Sequence, residues 1–97
     1  MTAQQLIWDI FSRSQNIQAP DMRNLSAEQF AYLRDLIELE ASAAPATLRK
    51  GESGSLVWMP PGADKYILTE YAPTGRHSLT RLPNYGLQGA GMLFPNP

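Results

Sequence analysis

His77 is the single histidine in the chain, and cysteine is absent. Composition alone therefore excludes disulfides, zinc–thiolate centres and thiol nucleophiles. A histidine metal site needs co-ligands at fixed spacing, and no H-x-E or H-x-x-x-H pattern surrounds His77. Ser53, Ser55 and Ser78 with His77 and Asp64 contain the residue types of a nucleophile triad, but no nucleophile elbow accompanies any of the serines. A carboxylate pair such as Glu38 and Glu40 stands two residues apart on a helical segment, so the two groups point in different directions and cannot share a proton. The expectation is no enzyme activity, no metal and no cofactor, with His77 a solvent-exposed turn residue.

Two glycine-rich stretches superficially suggest phosphate binding. A phosphate loop needs a helix directly after its glycines, because the first N–H groups of that helix hold the anion. Only six residues follow Gly86, Gly89 and Gly91, and two of them are Pro95 and Pro97. In Lys50-Gly51-Glu52-Ser53-Gly54-Ser55 the lysine precedes the glycines, and the stretch reads as a hairpin. Both are taken as connections.

Arg49, Lys50, Lys65, Arg76 and Arg81 alternate with Trp58, Tyr66, Tyr71 and Tyr85. Cations neutralise phosphates and aromatic rings stack bases, so this half has the ingredients of nucleic-acid binding. The footprint is thin, however, because Glu52, Asp64 and Glu70 offset it and the pI is about 5.7. Tyr, Trp and Arg are also the side chains that protein interfaces favour. The leading expectation is a small non-enzymatic interaction module, such as an adaptor, inhibitor or regulatory subunit. It would meet another protein through exposed aromatic and apolar surface. Its contact candidates are Trp8, Tyr32, Leu39, Tyr66, Tyr71, Arg76, Arg81, Met92, Leu93 and Phe94. The alternative is a nucleic-acid-binding regulator using Arg49, Lys50, Arg76 and Arg81.

The elements that must carry these side chains can be read from the same 97 residues. This length makes one domain, taken as residues 1–97. Leu, Ile, Val and Phe supply about a fifth of it, enough for a small core and too little for a deep enclosed cavity. No apolar run is long enough to span a membrane, and the first twelve residues lack the Lys or Arg of a signal peptide. With no cysteine, the expected setting is cytoplasmic. Residues 1–46 set Arg13, Arg23 and Arg34 against six carboxylates, whereas residues 47–97 are mildly basic. The simplest account of this asymmetry is a solvated mixed surface.

The expected fold class is α+β: two N-terminal helices on a three- to four-stranded antiparallel meander, followed by an extended Gly/Pro-rich tail. Thr2 and Gln5 form a capping box ahead of Leu6, Ile7, Ile10 and Phe11, which predicts helix 1 over 2–15. Residues 16–24, with Pro20, read as a connection. Ser26 and Gln29 repeat the capping box, Leu25 and Phe30 staple it, and Pro45 ends the second helix, predicted over 27–43. That helix carries two apolar stripes, Phe30–Leu33–Ile37–Ala41 and Tyr32–Leu36–Leu39–Ala43. One stripe can pack on the sheet and the other on helix 1, with a homodimer contact through the Tyr32 stripe as the alternative. Apolar residues on two faces of both helix 2 and the sheet exceed what one small core can hide, which argues for a homodimer. By angular position Trp8 points away from the apolar face of helix 1.

Turn signals at Gly51–Gly54, Pro60–Asp64 and Ala72–Arg76 divide residues 46–82 into short strands that only hairpins can join. Leu56 and Trp58 share one face, as do Tyr66 with Leu68 and His77 with Leu79 and Arg81. The expected core is Leu6, Ile7, Ile10, Phe11, Phe30, Leu33, Leu36, Ile37, Leu48, Val57, Ile67 and Leu79. In the tail, 83–97, the apolar triplet Met92, Leu93 and Phe94 is expected to dock in an apolar groove rather than remain loose.

Overall fold

Two capping boxes start the two helices. In the computed structural model, which describes residues 1–15, 17–51, 54–71 and 73–83, α1 spans Ala3–Arg13. The Thr2 hydroxyl accepts from the Gln5 backbone N–H at 3.1 Å, and the Gln5 side chain accepts from the Thr2 N–H at 2.8 Å. Helix α2 spans Ala27–Ala41 and opens on the same reciprocal pair between Ser26 and Gln29. These contacts satisfy N–H groups that a helix start otherwise leaves without partners. A short 3-10 turn, Pro45–Thr47, then leads into the sheet.

The sheet has five strands, one or two more than the sequence predicts. They are β1 Met22–Leu25, β2 Leu48–Lys50, β3 Leu56–Trp58, β4 Lys65–Tyr71 and β5 Arg76–Leu82. Their spatial order is β1-β5-β4-β3-β2, and every pairing is antiparallel. The meander is thus β2 to β5. The addition is β1, which lies within the segment read as a connection and joins the far edge beside β5. Its four residues carry no strand pattern of their own, and its identity comes from pairing with residues more than fifty positions away. Gly62 and Gly75 make the tight reversals on either side of β4, at φ of 71° and 69°. Both values lie in the left-handed region, where a Cβ is penalised.

Residues directly opposite on neighbouring strands share a face. Arg23 and Leu25, His77, Leu79 and Arg81, Tyr66 and Leu68, Leu56 and Trp58, and Leu48 therefore form the inner face. Both helices cover it. Ala3, Ile7 and Phe11 of α1 and Phe30, Leu33, Ile37 and Ala41 of α2 form one buried cluster with Leu25, Trp58, Tyr66, Leu68 and Leu79. Two expected core residues, Val57 and Ile67, instead stand half-buried on the opposite, outer face. Trp58, Tyr66 and Leu68 occupy the interior. The alternation was legible, but it does not say which face the helices cover.

The tail triplet Met92, Leu93 and Phe94 and the aromatic Tyr85 lie outside the described residues.

Candidate interaction site

The structure disperses the contact candidates over several surfaces. Trp8 projects from α1 at 70% exposure, on the side away from Ile7 and Phe11, as its angular position predicts. Its backbone carbonyl accepts from the Ser12 hydroxyl at 2.7 Å. On α2, Tyr32 is 51% and Leu39 69% exposed, with half-buried Leu36 between them. Tyr32 and Leu39 of the second α2 stripe therefore face outward, Leu36 packs partly against the core, and Leu33 and Ile37 are fully buried. Tyr66 is a different case. It is buried and packs against Trp58 with ring centroids 5.8 Å apart, so it belongs to the core rather than to an exposed surface. Burial is the main cause that raises its pKa above 10.0. The nearby Asp64 carboxylate adds to the rise and Arg81 opposes it.

Arg81 is also engaged internally. Its guanidinium lies over the Phe11 ring, 4.2 Å from the centroid, and donates to Asp21 Oδ1 at 3.5 Å. Arg23 approaches the same ring at 4.7 Å and donates to the backbone carbonyls of Ser14, Pro20 and Met22. This arrangement pins the segment between α1 and β1. Sequence reasoning missed Arg23, because nothing local distinguishes it from a surface arginine.

His77 is the second residue of β5 and lies on the inner face, not in an exposed turn. Its Nε2 is 3.0 Å from Glu70 Oε2, directly across the ladder. Its ring is tilted against Phe30, with centroids 4.7 Å apart. With one carboxylate and one aromatic ring as neighbours, it has a packing role. Among the described residues, no group of His, Asp or Glu is arranged to hold a metal ion.

The helices pack on the inner face of the sheet, and no described helix covers the outer face. The register aligns Arg49, Val57, Ile67, Thr80 and Met22 in one row across all five strands. Lys65 and Leu82 form the row on one side, and Thr69, Ser78 and Asn24 the row on the other. Tyr71, 55% exposed, pairs with Arg76 at the far end. An apolar stripe with a polar border and an aromatic corner is the usual composition of a protein contact.

The four cations of the nucleic-acid reading do not converge. Arg49 and Arg76 stand on the outer face, whereas Lys50 and Arg81 stand on the inner one. Two strands separate β2 from β5. No helix among the described residues is long and apolar enough to cross a membrane. Comparison with family models, curated proteins and solved structures finds no match to this chain.

Proposed function

We propose that this protein is a small non-enzymatic interaction module that meets another protein through the outer face of its sheet. The observation that carries the reading is the row Val57, Ile67, Thr80 and Met22, flanked by Tyr71 and Leu82, with no described helix over it. Small domains normally spend a helix or a second sheet on such a face, because burying each large apolar side chain contributes about 1.5–3 kcal/mol. A partner that covers it gains the same term. The exposed Tyr32 and Leu39 of α2 offer a second contact, suited to a two-fold homodimer.

The test is affinity capture with the tagged chain, run beside Ile67→Lys and Leu39→Lys variants whose folding is verified by circular dichroism. A partner retained by the wild type and lost with Ile67→Lys supports the reading. Identical capture by all three chains, or none, overturns it. Light scattering on the same samples tests the homodimer: a dimeric mass that Leu39→Lys halves supports the α2 contact, and a monomeric wild type removes it. Nucleic-acid binding has less support, since its cations are split between two faces. It would return if a fragment pool bound at low salt and lost affinity steeply as salt rose.

A further inference from the structure

The two edges of the sheet differ in what their backbones leave available. In an antiparallel ladder, alternate residues turn both backbone polar groups towards the partner strand, and the residues between them turn theirs away. At the β1 edge, the Arg81 N–H donates to the Asp21 carbonyl at 2.8 Å, which fixes Met22 and Asn24 as the outward-turned residues. Met22 is already consumed. Its N–H donates to the Ala19 carbonyl at 3.1 Å, and its own carbonyl accepts from the Arg23 guanidinium at 2.8 Å. The connection and Arg23 thus close the Met22 half of this edge, and Asn24 keeps its outward N–H and carbonyl.

Among the described residues, no strand pairs with the outer edge of β2. Met59 donates to Thr47 at 2.8 Å and Gly51 to Ser55 at 2.7 Å, so Thr47, Arg49 and Gly51 turn towards β3. Leu48 and Lys50 turn away from it. The Leu48 N–H folds back to the Pro45 carbonyl. That leaves the Leu48 carbonyl, the Lys50 N–H and the Lys50 carbonyl along the rim. Arg49 and Lys50 flank this rim on opposite faces, both exposed, and neither forms an ion pair among the described residues.

From this we infer that the free edge of β2 accepts an extended acidic peptide as a sixth strand, an inference that rests on the interaction reading above. Backbone pairing along an edge supplies register, and side chains opposite the rim supply selectivity. A second copy of β2 is a poor occupant: antiparallel self-pairing centred on Arg49 sets that cation against its twin, and centred on Lys50 it sets the two lysines together. A strand with carboxylates opposite Arg49 and Lys50 and an aliphatic residue opposite Leu48 answers both the charge and the half-buried Leu48. Such a strand also extends the outer row that begins at Arg49 and continues through Val57 and Ile67.

The probe is the capped peptide Thr-Glu-Glu-Val-Thr, titrated to millimolar concentration against the full chain and followed by amide NMR and hydrogen exchange. The expected result is shifts centred on Leu48 to Lys50, with slowed exchange of the Lys50 amide. Lys50→Pro deletes the outward donor and no bond of the β2–β3 ladder, so it should bind about tenfold more weakly while keeping the native spectrum. The double variant Arg49→Glu/Lys50→Glu should instead prefer Thr-Lys-Lys-Val-Thr. Absence of shifts at β2, equal binding by Lys50→Pro, or equal binding of the acidic and basic peptides to the wild type would overturn the inference. If the peptide fails while a captured partner remains sensitive to Ile67→Lys, the edge is excluded and the interaction reading stands. If both fail, the reading fails with it.

Discussion

Arg23 stacks its guanidinium on the ring of Phe11, 4.7 Å from the centroid, and so ties the last turn of α1 to the edge strand β1. The cation is only 8% exposed, and its described partners are neutral: one aromatic face and three backbone carbonyls. Its role is to satisfy the carbonyls of Ser14 after α1, Pro20 before β1 and Met22 at the start of β1. Arg23→Ala leaves those acceptors without a donor and opens a gap beside Phe11. Urea unfolding should show a loss of about 2–3 kcal/mol. Arg23→Lys should recover less than half of it, because a single ammonium cannot reproduce the planar fork that serves three carbonyls and the ring together. Full recovery with Lys would mean that charge alone is sufficient there.

Helix α1 has no acidic residue in its own first turn, and α2 supplies one. Glu40 Oε1 accepts from the Ala3 N–H at 3.0 Å, placing a carboxylate at the positive end of the α1 dipole. Glu40→Ala should cost about 1–2 kcal/mol, with Glu40→Gln intermediate because it keeps an acceptor and loses the charge. Chemical denaturation of the three chains at low salt checks the order. Equal stabilities would show that the Thr2 capping box suffices to hold the helix start.

The two stripes of α2 should separate cleanly in stability measurements. Leu33 is fully buried in the shared cluster, and Leu33→Ala should cost about 2–5 kcal/mol. Leu39 stands in solvent, and Leu39→Ala should change stability by less than about 0.5 kcal/mol. A large loss at Leu39 would indicate that its stripe is covered in solution, and the denaturation midpoint would then depend on protein concentration.

What the sequence disclosed was mainly local. The two capping boxes, the Gly62 and Gly75 turns and the alternation within each strand depend on neighbours within a few residues, and all can be read from the chain. Strand β1 cannot, because Met22–Leu25 becomes a strand only when β5 arrives beside it. The inner and outer faces posed the same problem. Val57 and Ile67 are β-branched residues suited to a core, yet Trp58, Tyr66 and Leu68 take it, a choice made by the helices rather than by the strands. By residue type alone Tyr66 cannot be told from an exposed aromatic such as Tyr71. The outward turn of Lys50 follows from ladder register, which no single segment encodes.

The burial of Tyr66 leads to a prediction about alkaline pH. Its hydroxyl is held in an environment that disfavours the phenolate, chiefly by desolvation and then by the Asp64 carboxylate, with Arg81 acting in the opposite sense. The folded-state pKa is therefore raised above the 10.0 of an unperturbed tyrosine, which the unfolded chain approximates. Below that value both states keep the proton, and Tyr66 makes no pH-dependent difference. As pH climbs past it, the unfolded chain loses the proton first, so folding becomes progressively less favourable until the folded phenol also ionises. Urea midpoints measured upward from pH 8 should hold level and then fall steadily once the unfolded tyrosine titrates. Tyr66→Phe should lack that part of the decline, whereas Tyr71→Phe, at a half-exposed position, should retain it. If Tyr66→Phe shows the same alkaline slope as the wild type, the destabilisation comes from other groups, and the ring that packs on Trp58 is not the one that resists ionisation.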